Sequence, residues 1–233
     1  FIDNTHPILK KELELNGFLC KKGTSKSKEE IMSKISLYDG IVIRSRFKID
    51  SLFLEHANNL KFIARAGSGM ENIDIKYAKK KGIKCYNAAE GNRQAVAEHT
   101  LGMLLSLFNN INRSHLEIKK KKWIREQNRG QEIQGKKIAI IGYGNNGSAF
   151  AKLLENFGAT IMSYDKYLNN YSYKNSMENI YKNADIVSLH VPLTQETKYL
   201  VNNKFINSFK KDIYIINTSR GDCVNTKDLV SAM

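Results

Sequence analysis

Between Gly135 and Asp165 the chain reads GKKIAIIGYGNNGSAFAKLLENFGATIMSYD, and few folds accommodate that order of residues. The run KIAII reads as a strand. Gly142, Gly144 and Gly147 follow at G-x-G-x-x-G spacing, a helical pattern covers 145–157, and a second strand, TIMSY, ends on Asp165. Each glycine has its own reason: the first permits a tight turn, the second lets a pyrophosphate approach the backbone, and the third lets helix pack on strand, so that phosphates meet the helix N-terminus. The spacing alone is weak evidence. With strand, helix, second strand and carboxylate in order it becomes a strong sign of a dinucleotide-binding βαβ unit. Asp165 lies 23 residues after Gly142, where a carboxylate accepts from ribose hydroxyls and repels a 2′-phosphate, which favours NAD over NADP. Lys166 beside it blurs that discrimination slightly.

The same alternation precedes this unit. PILKKELELNG opens with Pro7 in a first turn and closes on Gly17; helices at 29–35, 50–56 and 74–81 then alternate with the strands GIVIRS, KFIAR and KCYN. Short strands separated by helices imply right-handed crossovers and a parallel sheet. FID at the start also reads as a strand. From Val96 the period changes: Val96, Leu101, Leu104, Leu105, Phe108 and Ile111 mark one apolar face of a long helix running toward Lys122, a bridge into the second alternation. The expected fold is α/β with two domains, 1–91 and 92–233. The chain starts on Phe1 rather than Met and stops inside a helical pattern, so a fragment at both ends is expected.

Composition narrows the function classes. A formal net charge of +14 invites a nucleic-acid reading through the Lys runs 79–81 and 119–122, but these sit on ordinary helices without interleaved aromatics, and solvated helix faces absorb them. No nucleic-acid partner is assigned. The longest apolar stretch, near 101–108, falls short of the ~20 residues a membrane span needs. Cys20, Cys85 and Cys223 form no CxxC pair and are odd in number, which points to a reducing, cytoplasmic setting and to no metal site.

The segments RAGSGMENID (65–74), NRQAVAEHTLGMLLSL (92–107), GKKIAIIGYGNNG (135–147), ADIVSLHVPLTQETKYLV (184–201) and INTSRGDCVN (216–225) together resemble the D-isomer-specific 2-hydroxyacid dehydrogenases, and within them the phosphoglycerate dehydrogenases. The resemblance covers the whole chain. It implies a flavodoxin-like substrate domain and a Rossmann-type doubly wound domain, with hydride exchange between NAD and C2 of a D-2-hydroxy acid in the cleft between them. Arg220 matches the catalytic arginine, whose guanidinium can fork onto the substrate carboxylate and polarise the C2 oxygen. The family's histidine base and the glutamate that orients it would lie beyond Met233.

The resemblance also assigns a cofactor wall: Ser68, Asn145, Asn146, His190, Val191, Pro192, Thr218 and Ser219 beside Gly142, Gly144, Gly147 and Asp165. His190 is expected there, with no proton transfer. Backbone N–H groups of Ser68 and Gly69 would meet the substrate carboxylate, with Asn92 a weaker contact. Arg44 and Arg46, flanking Ser45 at a strand end, would point the same way in extended chain and grip a phosphate, so the small anionic substrate would be 3-phosphoglycerate. A hydroxypyruvate or glyoxylate reductase, or a non-catalytic NAD sensor, are the alternatives. Two residues depart from the family pattern: Asn146 replaces an apolar residue and Asn225 an aspartate. A homodimer through residues 94–123 is implied as well.

Overall fold

The computed structural model describes residues Phe1–Met233 as two compact units, Phe1–Asn92 and Arg93–Met233. In the first, helices α1 (Pro7–Leu15), α2 (Lys28–Met32), α3 (Ser51–Glu55) and α4 (Ile75–Lys80) surround strands β1 (Gly40–Ile43), β2 (Phe62–Arg65) and β3 (Lys84–Asn87). The sheet is parallel, in the order β1-β2-β3. Local chemistry fixes the helix starts. Ser27 and Glu30 form a reciprocal capping box on α2, and Asp50 and Asp74 cap α3 and α4. Ile35, Ile43, Ile49, Phe53, Leu54 and Ile63 are fully buried and form the core. FID is not a strand: Ile2 donates to the Val42 carbonyl at 2.8 Å, one bond where a ladder needs several.

The second unit begins with α5 (Arg93–Phe108) and α6 (Ile111–Lys119), so the expected long helix is two. Asn110 takes a left-handed backbone, φ 52°, which asparagine tolerates and which breaks the hydrogen-bond ladder. Leu104 and Phe108 are buried, while Ile111, beyond the break, is 52% exposed. Then come β4 (Lys137–Ile141), α7 (Asn145–Leu154), β5 (Thr160–Tyr164), α8 (Met177–Asn183), β6 (Ile186–Leu189), α9 (Asn203–Asn207), β7 (Tyr214–Asn217) and α10 (Thr226–Ala232).

All four strands are parallel, in the order β5-β4-β6-β7. The chain therefore steps from β4 to one side and then to the other, creating the crevice at the strands' carboxyl ends where doubly wound sheets bind ligands. Beyond β5, Lys174 makes an isolated parallel bridge to Ser163 in place of a further strand. Alternation on β4 sends Ile138 and Ile140 into one apolar layer, with Phe150 and Leu104, and Ala139 and Ile141 into the other, with Met162 and Ile180. A strand covered on both faces reads as a near-continuous apolar run, and KIAII carries no polar position beyond its first residue.

Candidate functional site

At the carboxyl end of β4 the chain turns through Gly142, whose φ of 91° favours glycine. A Cβ there would stand 2.7 Å from the His190 carbonyl oxygen, and one on Gly147 would stand 2.0 Å from the Gly142 carbonyl oxygen. Both glycines are thus demanded by backbone packed on backbone. Gly144 differs: a Cβ there meets nothing within 4 Å, so its open face is available to a ligand. No side chain caps α7, and the N–H groups of Asn145 and Asn146 meet no protein acceptor. An open glycine face at uncapped helix N–H groups fits the pyrophosphate of a dinucleotide.

Asp165 is built into the same turn. Its Oδ2 accepts from the Tyr143 N–H at 2.8 Å, and its Oδ1 accepts from the N–H groups of Tyr167 (2.9 Å) and Leu168 (3.1 Å). A carboxylate offers about four acceptor positions, so three are spent fixing the loop and one is left for a ligand hydroxyl. Asn146 keeps its Oδ1 buried without a partner. His190 shares a hydrogen bond of 2.9 Å between Nε2 and Ser188 Oγ, leans on the Phe150 ring and leaves Nδ1 buried and unpartnered. Burial pushes its pKa down to about 4, so the ring is neutral near neutral pH and is a poor proton acceptor there. Val191 packs beside Gly142, and the Pro192 carbonyl accepts from the Thr197 hydroxyl, which fixes the loop after β6.

After β7, Asn217 organises the turn that carries Arg220. Its Oδ1 accepts from the Ser219 N–H (3.0 Å) and hydroxyl (2.6 Å), and its Nδ2 donates to the Arg220 carbonyl at 2.9 Å. The Thr218 hydroxyl meets that of buried Thr100 at 3.2 Å. The exposed Arg220 side chain donates from Nη1 to the Ser219 carbonyl at 2.8 Å.

In the first unit Ser68 Oγ donates to Asn92 Oδ1 at 2.6 Å, and Asn87 Nδ2 donates to the Ser68 carbonyl at 2.8 Å. The N–H groups of Ser68 and Gly69 meet no protein acceptor. Arg44 and Arg46 do not share one role. Extended chain ends at Ile43, and beyond it the backbone wraps around Asp3, whose Oδ2 accepts from the N–H groups of Arg44 (2.5 Å) and Ser45 (3.1 Å). The Arg46 guanidinium is committed to the carbonyls of Ile2, Gly23 and Lys26, which ties three segments together, while the Arg44 side chain is exposed.

Asp3, Arg65 and Asn217 were not found by sequence reasoning. Asp3 and Asn217 act through partners that no periodicity reveals. Arg65, lying across Gly67 with its Nε buried and unpartnered, stands at a strand's carboxyl end, a position that could have signalled it.

Residues 101–233 match the family model of the D-isomer specific 2-hydroxyacid dehydrogenase NAD binding domain. The chain belongs to that family. Its cofactor is NAD. A hydroxypyruvate reductase of Thermotoga maritima is 36% identical over 212 residues, which are 87% of this chain and 67% of that protein. A D-3-phosphoglycerate dehydrogenase of Methanocaldococcus jannaschii is 35% identical over 90% of this chain, which spans only 41% of that relative's length. Among solved structures, a D-lactate dehydrogenase of Aquifex aeolicus complexed with NAD and lactic acid superposes with a TM-score of 0.81 at 28% identity, covering 97% of this chain and 69% of its own.

Proposed function

We propose that the protein is an NAD-dependent dehydrogenase of D-2-hydroxy acids that oxidises 3-phosphoglycerate to 3-phosphohydroxypyruvate, the entry to serine synthesis, in the cytoplasm. The observation that carries this reading is the cradle of Gly144, the uncapped α7 N–H groups and Asp165. Bound NAD would supply the hydride acceptor. The chain's own residues would do the rest. Arg220, presented by the Asn217-organised turn, would clamp the carboxylate and favour charge on the C2 oxygen. In the first unit, the N–H groups of Ser68 and Gly69, which meet no protein acceptor, suit an anionic oxygen of the substrate. Arg44 and Arg65 are the cations left to meet a phosphate, because the Arg46 guanidinium is spent on carbonyls.

The T. maritima relative's name favours a second reading, hydroxypyruvate reduction. Turnover of the whole protein, followed by NADH absorbance, separates the two. Arg44→Ala is expected to raise KM for 3-phosphoglycerate about tenfold, one charge-assisted contact, with little change for an unphosphorylated acid. Equal losses on both substrates would refute the phosphate role. NADH binding with no turnover of either would favour an NAD sensor. We also propose a homodimer through the exposed apolar residues Met103 and Leu107 of α5 and Ile111, Leu116 and Ile118 of α6. A sedimentation coefficient independent of concentration at the monomer value would exclude it.

A further inference from the structure

Lys166 follows Asp165 at the carboxyl end of β5, and its side chain is already engaged. Its Nζ lies 2.8 Å from Glu196 Oε2 and 5.6 Å from the centroid of the Tyr167 ring. Tyr167 donates its hydroxyl to the same glutamate oxygen at 2.7 Å. Glu196 belongs to the loop after β6, and β4 lies between β5 and β6. The contact therefore reaches across the end of the sheet where Gly142–Gly147 form the nucleotide cradle.

We infer that Glu196 is a specificity-determining residue: it holds the Lys166 ammonium against its own carboxylate and so denies that cation to a cofactor's 2′-phosphate. The inference rests on the cofactor reading above and deepens it. A phosphate monoester carries between about −1.5 and −2 at neutral pH. Beside Asp165 it would face two carboxylates and one ammonium, a net repulsive surround. Without Glu196 it would face one of each, and a lysine, a flexible point charge with three donors, can turn to the phosphate. The sequence alone gives the opposite hint, because a lysine next to the ribose carboxylate weakens discrimination if its charge is free. Fold stability is hardly involved. The two side chains are 58% and 54% exposed, and exposed ion pairs contribute little.

The test is fluorescence titration of the 233-residue chain with NADH and with NADPH, for the unchanged protein, Glu196→Gln, Lys166→Gln and the double variant. Glu196→Gln is expected to tighten NADPH about fivefold to tenfold at low salt, with the gain shrinking as salt is added, and to leave NADH within about twofold. The double variant should lose the gain, since the effect acts through Lys166. Coincident thermal melts verify that the variants keep the fold. NADPH affinity unchanged in Glu196→Gln, an equal shift for both cofactors, or a gain that survives removal of Lys166 would each overturn the inference while leaving the cofactor reading intact. An unchanged protein that binds neither nucleotide would remove the cofactor reading, and this inference with it.

Discussion

Two glycine turns leave the carboxyl ends of parallel strands in this molecule, one through Gly67 after β2 and one through Gly142 after β4, and they are held by different kinds of atom. Around Gly142 and Gly147 the nearest atoms are backbone: the His190 carbonyl for the first, and the carbonyl of Gly142 itself for the second. Around Gly67 the neighbour is the tip of the Arg65 side chain. Backbone cannot move without dismantling strand and helix, whereas a guanidinium can swing away. The first turn is therefore rigid and announces itself as a spacing of glycines. The second is adaptable and depends on particular side chains.

The largest expected effect is in Gly147→Ala. Its Cβ would lie 2.0 Å from a backbone oxygen, so strand and helix must separate. We expect a loss of about 3 kcal/mol or more in urea melts, at the upper end for overpacking, and loss of NADH binding. Gly67→Ala should cost less, about 1–2 kcal/mol from its φ of 158°, because Arg65 can yield. If Gly67→Ala proves the costlier, the comparison fails.

A second contrast is in acid. His190 is buried and neutral in the second unit, its pKa pushed from 6.5 down to about 4 by burial. Below 6.5 the unfolded chain takes up a proton that the native ring refuses until about 4. The unfolded state thus binds more protons in that window, and stability falls as pH drops through it, by about 3 kcal/mol in all, levelling below the folded pKa. Hydrogen exchange of the second unit should show this slope, and His190→Gln should flatten it. A wild-type profile with no slope would mean that water reaches the ring.

The smallest effect concerns the side-chain-held unit. Asp3→Ala removes the acceptor shared by the Arg44 and Ser45 N–H groups, and should cost about 0.5–1 kcal/mol, because both bonds are exposed and water can replace the carboxylate. Exchange should quicken in β1 and residues 44–46 while NADH affinity is unchanged. Weakened NADH binding would show that the two units' turns are not independent.

Much of the second unit was legible because its determinants are local. KIAII, the three glycines, TIMSY and Asp165 are within one stretch, and each occupies the strand or turn position its spacing implied. The helix from Val96 to Lys122 was misread because an apolar period continues across Asn109 and Asn110 while the backbone does not. Arg44 and Arg46 were paired by strand period, but the strand ends one residue before them.

The sequence by itself determined the α/β class, the strand–glycine turn–helix unit from Lys137 to Tyr164 and the family, since these follow from period, glycine chemistry and motifs spaced along one chain. Only the tertiary structure decided which cations remain free. Arg46 is spent on Ile2, Gly23 and Lys26, and Lys166 on Glu196, partners 20 to 44 residues away. A charge is visible in sequence. Whether it is already neutralised depends on what folding brings within about 3 Å of it, and no local pattern encodes that distance.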